Sequence, residues 1–330
     1  MVGSARLEWH GRRATTKASG ACDSLGLVRS GWAMVGHWTE SHTYAPLRQG
    51  RVTNRRFADM VGISVVIPYY KASGTLLRAL ESVAAQQQLP AEVIIVDDCS
   101  GALEAERLDQ IARSFTVVPV RVLHLAENGG PAVARNTGWD AAREKYVAFL
   151  DADDSWHQRK LEIQATAMER DPGLTMLATG VNALGDQEPG QSPPVIAVSA
   201  RQQLLRNRFV TSSVMIRTGT TDRFRSELRY SEDNELWCRL LLTGHRCGRV
   251  ASPLTNYHNS MTSRSGASGN FHAMFLGQLR AFSGLRKQRL LTIGQAAMAF
   301  GSASVRYARR RTMIAADDLK RLVRRGCSAA

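Results

Sequence analysis

The chain lacks the features that mark several large protein classes. Its five cysteines, at positions 22, 99, 238, 247 and 327, are odd in number and scattered. No pair has zinc-ligand or redox spacing, which excludes a disulfide framework and predicts a reduced, cytosolic setting. No apolar run is long enough to span a bilayer. The most apolar C-terminal stretch, 290–305, is broken by Thr292, Gly294, Gln295, Gly301 and Ser302. No secretory core surrounds Gly31-Trp32-Ala33-Met34, because polar and charged residues flank a very short apolar run. There is no Walker loop, and no Gly-x-Gly-x-x-Gly follows the first strand-like segment. Both P-loop and dinucleotide-binding chemistry are thereby disfavoured. Internal repeats are absent as well.

What is present is a soluble composition, 44% apolar, with an uneven charge. The net charge of +14 sits at the two ends. Residues 1–59 carry 9 basic and 4 acidic side chains, and residues 271–330 carry 12 and 2. The middle, 60–270, carries 22 and 23 and is close to neutral. A domain that reads nucleic acid would hold the positive patch itself, so no nucleic-acid partner is expected. Residues 1–59 show no sustained period of two or 3.6, and are expected to be a disordered extension or upstream sequence not made in the cell.

From Ile63 onward, strands and helices alternate. Strands are predicted at 63–67, 92–96, 117–123 and 146–150, with helices near 73–84, 103–114 and 132–143 between them. Ser73 or Thr75 is expected to cap the first helix. A helix from Lys160 to Met168, a strand at 174–181, a loop at 182–199, a strand at 213–216 and a helix at 232–242 follow. This order predicts an α/β fold on a mostly parallel, doubly wound sheet with helices on both faces.

Three predicted strands end in polar chemistry: Pro68-Tyr69-Tyr70, Asp97-Asp98 and Asp151-Ala152-Asp153. In a parallel sheet these ends share one edge, where such folds bind ligands. Asp-x-Asp there suits a divalent cation held by hard oxygens, with substrate phosphates completing the shell. Asp153-Asp154-Ser155 would equally serve to cap the next helix. Likewise, Ser231-Glu232-Asp233 opens a helix and has a capping reading beside any catalytic one.

The succession Val-Ile-Pro-x-Tyr, Val-Asp-Asp-x-Ser, Asn-x-Gly-x-x-x-Ala-Arg-Asn-x-Gly, Asp-Ala-Asp-Asp and Glu-Asp-x-x-Leu-Trp resembles the family 2 glycosyltransferases of the GT-A fold. It covers residues 63–264, about two thirds of the chain. The resemblance implies a GT-A domain at 60–268, with a nucleotide-sugar half to about 160, an acceptor half after it, and a basic helical tail at 269–330. It implies inverting transfer of a sugar from a nucleotide-sugar, with UDP favoured, to an acceptor hydroxyl of a glycan or glycolipid. A catalytically silent sugar-nucleotide-binding module is the alternative.

By the same resemblance Pro68 belongs to the nucleotide-sugar site, Tyr70 lies beside the base, and Asp98 accepts from a pyrimidine N–H. Asp151 approaches the ribose or the metal, and Asp153 ligates Mn2+ or Mg2+. Arg135 contacts the donor sugar or pairs with Asp151, and Asp233 is the base. Glu232 and Trp237 lie on the acceptor side, Trp237 having a core reading as well. Residues 257–264 resemble a loop that closes over diphosphate. Two positions depart from the family pattern: Lys71, where Asn is common, and Gly101-Ala102, where a further Asp is common. The tail's basic residues, interleaved with Val305, Met313, Ile314 and Leu322, suit either a helix lying on an anionic membrane surface or one packed on the domain.

Overall fold

Strand β1 (Ile63–Tyr69) is the centre of the parallel part of the sheet, with β2 (Glu92–Asp97) on one side and β4 (Tyr146–Phe149) on the other. The computed structural model describes residues 61–182, 189–190, 193–258 and 270–327, with side chains as far as 314. The expected extension at 1–59 and the loop positions 259–264 lie outside the described residues.

Helix α1 (Ser73–Ala84) follows β1, α2 (Ala102–Ser114) leads to β3 (Val120–His124), and α3 (Pro131–Ala141) leads to β4. Next come β5 (Ser155–Trp156), α4 (Lys160–Arg170), β6 (Leu174–Asn182), β7 (Val195–Ala197), α5 (Ala200–Leu205) and β8 (Met215–Arg217). The described chain closes with α6 (Glu232–Leu242), β9 (Arg246–Asn256), α7 (Phe271–Lys287) and α8 (Ile293–Cys327).

The strand order is β3-β2-β1-β4-β8-β6-β9-β5, with β7 paired to β9. The first four strands are parallel, as the alternating pattern predicts. Beyond β4 the sheet is mixed, because β8 runs antiparallel to both β4 and β6. Strands β5, β7 and β9 and helix α5 were not expected. Ser155–Trp156 and Val195–Ala197 are too short for periodicity to register, and β7 falls inside the segment read as a loop.

Both faces of the parallel strands are covered, which is why their sequences read as nearly unbroken apolar runs. Ile63, Val65 and Ile67 point into one core with Leu76, Leu80 and Leu161. Val66, one residue out of phase, points into the other with Trp139, Phe149 and Trp237. The capping expectation for α1 is not met. Its N-cap residue is Ala72, Ser73 Oγ donates to Glu104 Oε1 at 3.1 Å, and Thr75 Oγ1 donates to the Ala72 carbonyl.

Pro68 explains how a crevice opens in the middle of this sheet. Odd residues of β1 bond toward β2: Asp98 N–H donates to the Tyr69 carbonyl, and Ala91 N–H to that of Ile63. Even residues bond toward β4: Leu150 N–H donates to the Val66 carbonyl. Pro68 therefore presents its missing N–H to the β4 side, just beyond the last β1–β4 pair, Val66 with Phe149. A proline is tolerated in this inner strand because its neighbour has already left. The order also reverses between β1 and β4, the switch point where open α/β sheets bind ligands.

Gly138, the last glycine of the Ala-Arg-Asn-x-Gly motif, has a packing reason. A Cβ there would come 2.4 Å from Val66 Cγ1 and 3.2 Å from Val96 Cγ2. Glycine lets α3 sit directly on β1 and β2. Gly138→Ala should lower the unfolding free energy by about 1–3 kcal/mol through overpacking, less up to ~1 kcal/mol recovered from helix propensity. Urea denaturation measures this; an unchanged or raised midpoint would contradict the close seating of α3.

Candidate active site

The acidic turn emerges where β4 ends. Asp154 N–H donates to the Asp151 carbonyl at 3.0 Å and closes the turn. Ser212 pins it from β8's side of the sheet: its Oγ accepts from Asp151 N–H at 3.1 Å and donates to Asp154 Oδ2 at 2.5 Å. From α1, Arg78 donates to the Asp153 carbonyl at 2.6 Å. Asp154 is fully buried, and its pKa is pushed up to about 8 by that burial and then by the negative charge of Asp151, with Ser212 opposing.

Across the switch point, β1 and β2 contribute Tyr70 and Asp98. Tyr69 points inward and donates to Glu104 at 2.7 Å, whereas Tyr70 is 49% exposed with Lys71 Nζ 5.1 Å from its ring centre. Asp98 is buried, and its two oxygens accept from Gly129 N–H at 2.7 Å and Gly130 N–H at 2.9 Å. Gly130 has φ of +83°, a conformation that glycine adopts without strain. The Asn128 amide donates to the Asp98 carbonyl, so the glycine turn and the end of β2 form one unit.

Arg135 joins the donor-side and acceptor-side acids. It lies on α3, buried, with Nη2 2.8 Å from Asp151 Oδ1 and Nη1 2.9 Å from Glu232 Oε1. Burial alone would depress its pKa, but Asp151 and Glu232 outweigh that and raise it, so the guanidinium stays charged. Glu232 is pushed up to about 7, by burial first, with Arg135 opposing and Asp233 adding repulsion. Asp233 is raised too, again chiefly by burial; the Asn234 N–H at 2.6 Å and the Asn207 amide at 3.1 Å pull the other way. Ser231, the N-cap residue, makes no side-chain cap.

Three of the four described non-glycine residues with positive φ flank this region. Lys71 (+49°) follows Tyr70, Cys99 (+58°) follows Asp98, and Ser231 (+62°) precedes Glu232. Such left-handed positions cost energy and concentrate at functional sites.

A family model described as Glycosyl transferase family 2 matches residues 64–228, half of the chain. The chain belongs to this family. Amylovoran biosynthesis glycosyltransferase AmsB of Erwinia amylovora is 32% identical over 223 residues, covering 63% of this chain and 72% of AmsB. Succinoglycan biosynthesis protein ExoO of Rhizobium meliloti is 27% identical, covering 59% and 60% of the two chains. Putative teichuronic acid biosynthesis glycosyltransferase TuaG of Bacillus subtilis is 41% identical over 32% of this chain and 41% of TuaG. The chain thus spans less than two thirds of ExoO and of TuaG. The GT-A-like fold is shared with S. aureus TarS 1-349 in complex with UDP-GlcNAc, at TM-score 0.55 and 19% identity over 68% of this chain and 66% of that one. It is also shared with the mannosyltransferase PcManGT from Pyrobaculum calidifontis in complex with GDP-Man and Mn2+, at TM-score 0.55 and 14% identity over 79% and 81%.

This glycosyltransferase therefore has its family motifs gathered on one sheet edge, with Pro68, Tyr70, Asp98 and Asp151 at strand ends and Glu232 tied to Asp151 through Arg135. Trp237 is placed differently from its acceptor-side reading. It is fully buried, packed edge-on against Phe224 and Phe209, and has the core role.

Sequence reasoning missed four partners. Asn136 exchanges hydrogen bonds with the backbone of Phe224, on whose ring the Arg135 guanidinium rests at 5.5 Å. It stands inside the Ala-Arg-Asn motif and was legible there. Ser212 and Asn207 carry no local signal, whereas His258 lies in the 257–264 stretch that resembles the diphosphate loop, with nothing local to mark Ser155 as its partner. His258 Nε2 lies 2.8 Å from Ser155 Oγ, and burial lowers its pKa.

As a test of fit to a metal, no group of three or more His, Cys, Asp or Glu is arranged to enclose one among the described residues. Mg2+-type ions in nucleotide sites use one or two carboxylates plus phosphate oxygens, and the half-buried Asp153 at the mouth of the turn fits that donor set. A separate cavity of about 600 Å³ at the starts of β6 and β9, lined by Asp171, Val195, His245 and Arg246, contains none of these residues.

Proposed function

We propose that this glycosyltransferase moves a sugar from a UDP-sugar to an acceptor hydroxyl with inversion, in the assembly of a cell-surface polysaccharide or glycolipid. The observation that carries the reading is the Arg135 bridge, which ties the carboxyl end of β4 to the first turn of α6. It brings a donor-side acid and an acceptor-side acid to one crevice at the switch point.

In this reading Tyr70 stacks on the base and Pro68 borders it. Asp98 accepts from the uracil N–H, its carboxylate already oriented by Gly129 and Gly130; a carboxylate has acceptor capacity beyond those two bonds. Asp151 is held by Arg135 toward the ribose. Asp153 would hold Mn2+ or Mg2+ together with the donor's diphosphate. Such an ion supplies charge neutralisation of the leaving diphosphate. The acceptor oxygen attacks the anomeric carbon from the face opposite the diphosphate, the bond to the diphosphate oxygen breaks, and Asp233 takes the acceptor proton.

Intact acids at Asp153 and Asp233 favour an enzyme over a silent binding module. A thermal-shift screen of UDP-, GDP- and dTDP-sugars with and without Mn2+ tests the donor. UDP-sugars with Mn2+ should stabilise most, as a ligand specific to the folded state raises its stability. Stabilisation by GDP-sugars alone would overturn the uracil assignment.

The proposed location is the cytoplasmic face of a membrane. Among the described residues no helix is long and apolar enough to cross a bilayer. Arg309 and Arg311 lie on α8 near exposed Val305 and Met313, and anionic lipid would attract them by about 1 kcal/mol per cation. Flotation with phosphatidylglycerol vesicles should be lost at high salt; equal flotation with neutral vesicles would count against this location.

A further inference from the structure

The C-terminal helices meet the catalytic half at the loops that present Asp233. Gly277 of α7 is buried against the Tyr230–Ser231 turn. A Cβ on it would fall 2.6 Å from the Tyr230 carbonyl oxygen and 2.7 Å from Tyr230 Cβ. Ser231, held at φ +62°, donates from Oγ to the Met274 carbonyl of α7 at 3.3 Å. The next two residues are Glu232 and Asp233. The turn that aims them is therefore seated on α7.

A second path reaches Asp233 from the other side. On α8, Ser302 Oγ donates to the Leu205 carbonyl at 2.7 Å, and Arg306 donates to the same oxygen. Arg306 also reaches Gln278 of α7 at 3.2 Å. Leu205 ends α5, and two residues on stands Asn207, whose amide donates to Asp233 Oδ2 at 3.1 Å. Gln203 of α5 fixes Asn207 and Asn234 together, at 2.8 and 2.9 Å. A shared core of Leu204, Cys238, Phe282, Leu285 and Ala299 holds α5, α6, α7 and α8 as one packed layer.

We propose that α7 and α8 brace the acceptor-side carboxylate, with Gly277 and Asn207 as positioning residues for Asp233. The proposal rests on Asp233 being the base. The helices then serve sugar transfer itself, in addition to any membrane contact. None of the contacts involves Tyr70, Asp98 or Asp153; the braced turn reaches the donor side through Glu232, Arg135 and Asp151 and through the Arg229–Asn128 bond at 3.3 Å, so disturbing the brace should weaken donor binding far less than transfer.

The test is Gly277→Ala in the full chain, with Gly284→Ala as a matched control on the same helix, where a Cβ meets only the Gln288 amide at 4.0 Å. The added methyl of Gly277→Ala must push α7 and the Tyr230 turn apart. Displacements of this kind cost roughly 10²-fold per ångström at a reacting centre. Gly277→Ala should lower kcat by about 10- to 100-fold with a much smaller loss of UDP affinity, and Gly284→Ala should leave both unchanged. Asn207→Ala should lower kcat and move the acidic limb of the pH–rate profile upward, because the lost amide had favoured the ionised carboxylate.

Full kcat in folded Gly277→Ala, or parallel loss of kcat and UDP affinity, would overturn the proposal. If Gly277→Ala does not fold, Asn207→Ala decides: full kcat with an unmoved acidic limb overturns it. Asp233→Asn separates the two layers. Retained transfer in that variant refutes the base assignment, whereas a dead Asp233→Asn beside normal Gly277→Ala and Asn207→Ala refutes only the brace.

Discussion

Replacing Asp233 with asparagine is expected to cut sugar transfer by about 10²–10⁴-fold, the range general base catalysis supplies, while UDP binding stays near that of the parent. Asparagine keeps the size and can still accept from Asn234 N–H through its carbonyl, but it cannot take the acceptor proton. Were Asp233 only a helix-start residue, the change would be nearly silent, because Asn and Asp serve helix N-termini about equally well. The same variant has a pH signature. Burial raises the Asp233 pKa, and Glu232 beside it is pushed to about 7. A base is competent only when deprotonated, so parental transfer should fall with decreasing pH, and the midpoint of that fall should lie above that of an ordinary exposed carboxylate. The two acids repel each other, so the profile reports the pair rather than either residue. The residual rate of Asp233→Asn should lose that limb. Retained transfer with the limb intact would remove Asp233 from the mechanism and move attention to Glu232.

Asp153→Asn is expected to lower turnover by orders of magnitude with the fold preserved, and EDTA should reproduce the loss in the parent. Asp153 is half-buried on a turn whose backbone has several anchors of its own. Its carbonyl is fixed by Arg78, and Ser212 pins Asp151 and Asp154 on either side. Removing the charge should therefore leave the turn in place. A neutral amide is a poor ligand for a hard divalent cation compared with a carboxylate. Calorimetry of UDP binding with Mn2+ checks this without relying on activity: metal-dependent affinity should vanish in the variant, and metal-independent affinity should remain. Full transfer in EDTA by both proteins would refute the Asp-x-Asp assignment.

The sequence alone determined the parallel half of the sheet and the order of its motifs. Val65, Val66, Ile94 and Val147 are β-branched residues in unbroken runs, and a strand covered on both faces needs no polar alternation. The helix at 232–242 was legible for a related reason: a cluster of acids precedes a strongly apolar turn. Lys160 could not be read so. It begins α4 as an ordinary basic residue, yet it is fully buried with Nζ 4.0 Å from the Trp156 ring centre.

Tertiary structure alone decided the mixed half and the partners of the acids. Strands β5 and β7 have two and three residues and exist only because β9 offers them an edge. Arg135 was known from its motif, but 97 residues separate it from Glu232, and only the tertiary placement of α3 and the start of α6 makes them a pair. Asn207 and Asp233 are joined in the same way across 26 residues. Local sequence carries propensity and periodicity, which act over a few neighbours. A hydrogen bond between distant side chains depends on where whole elements pack, and that is settled by burial of the entire chain.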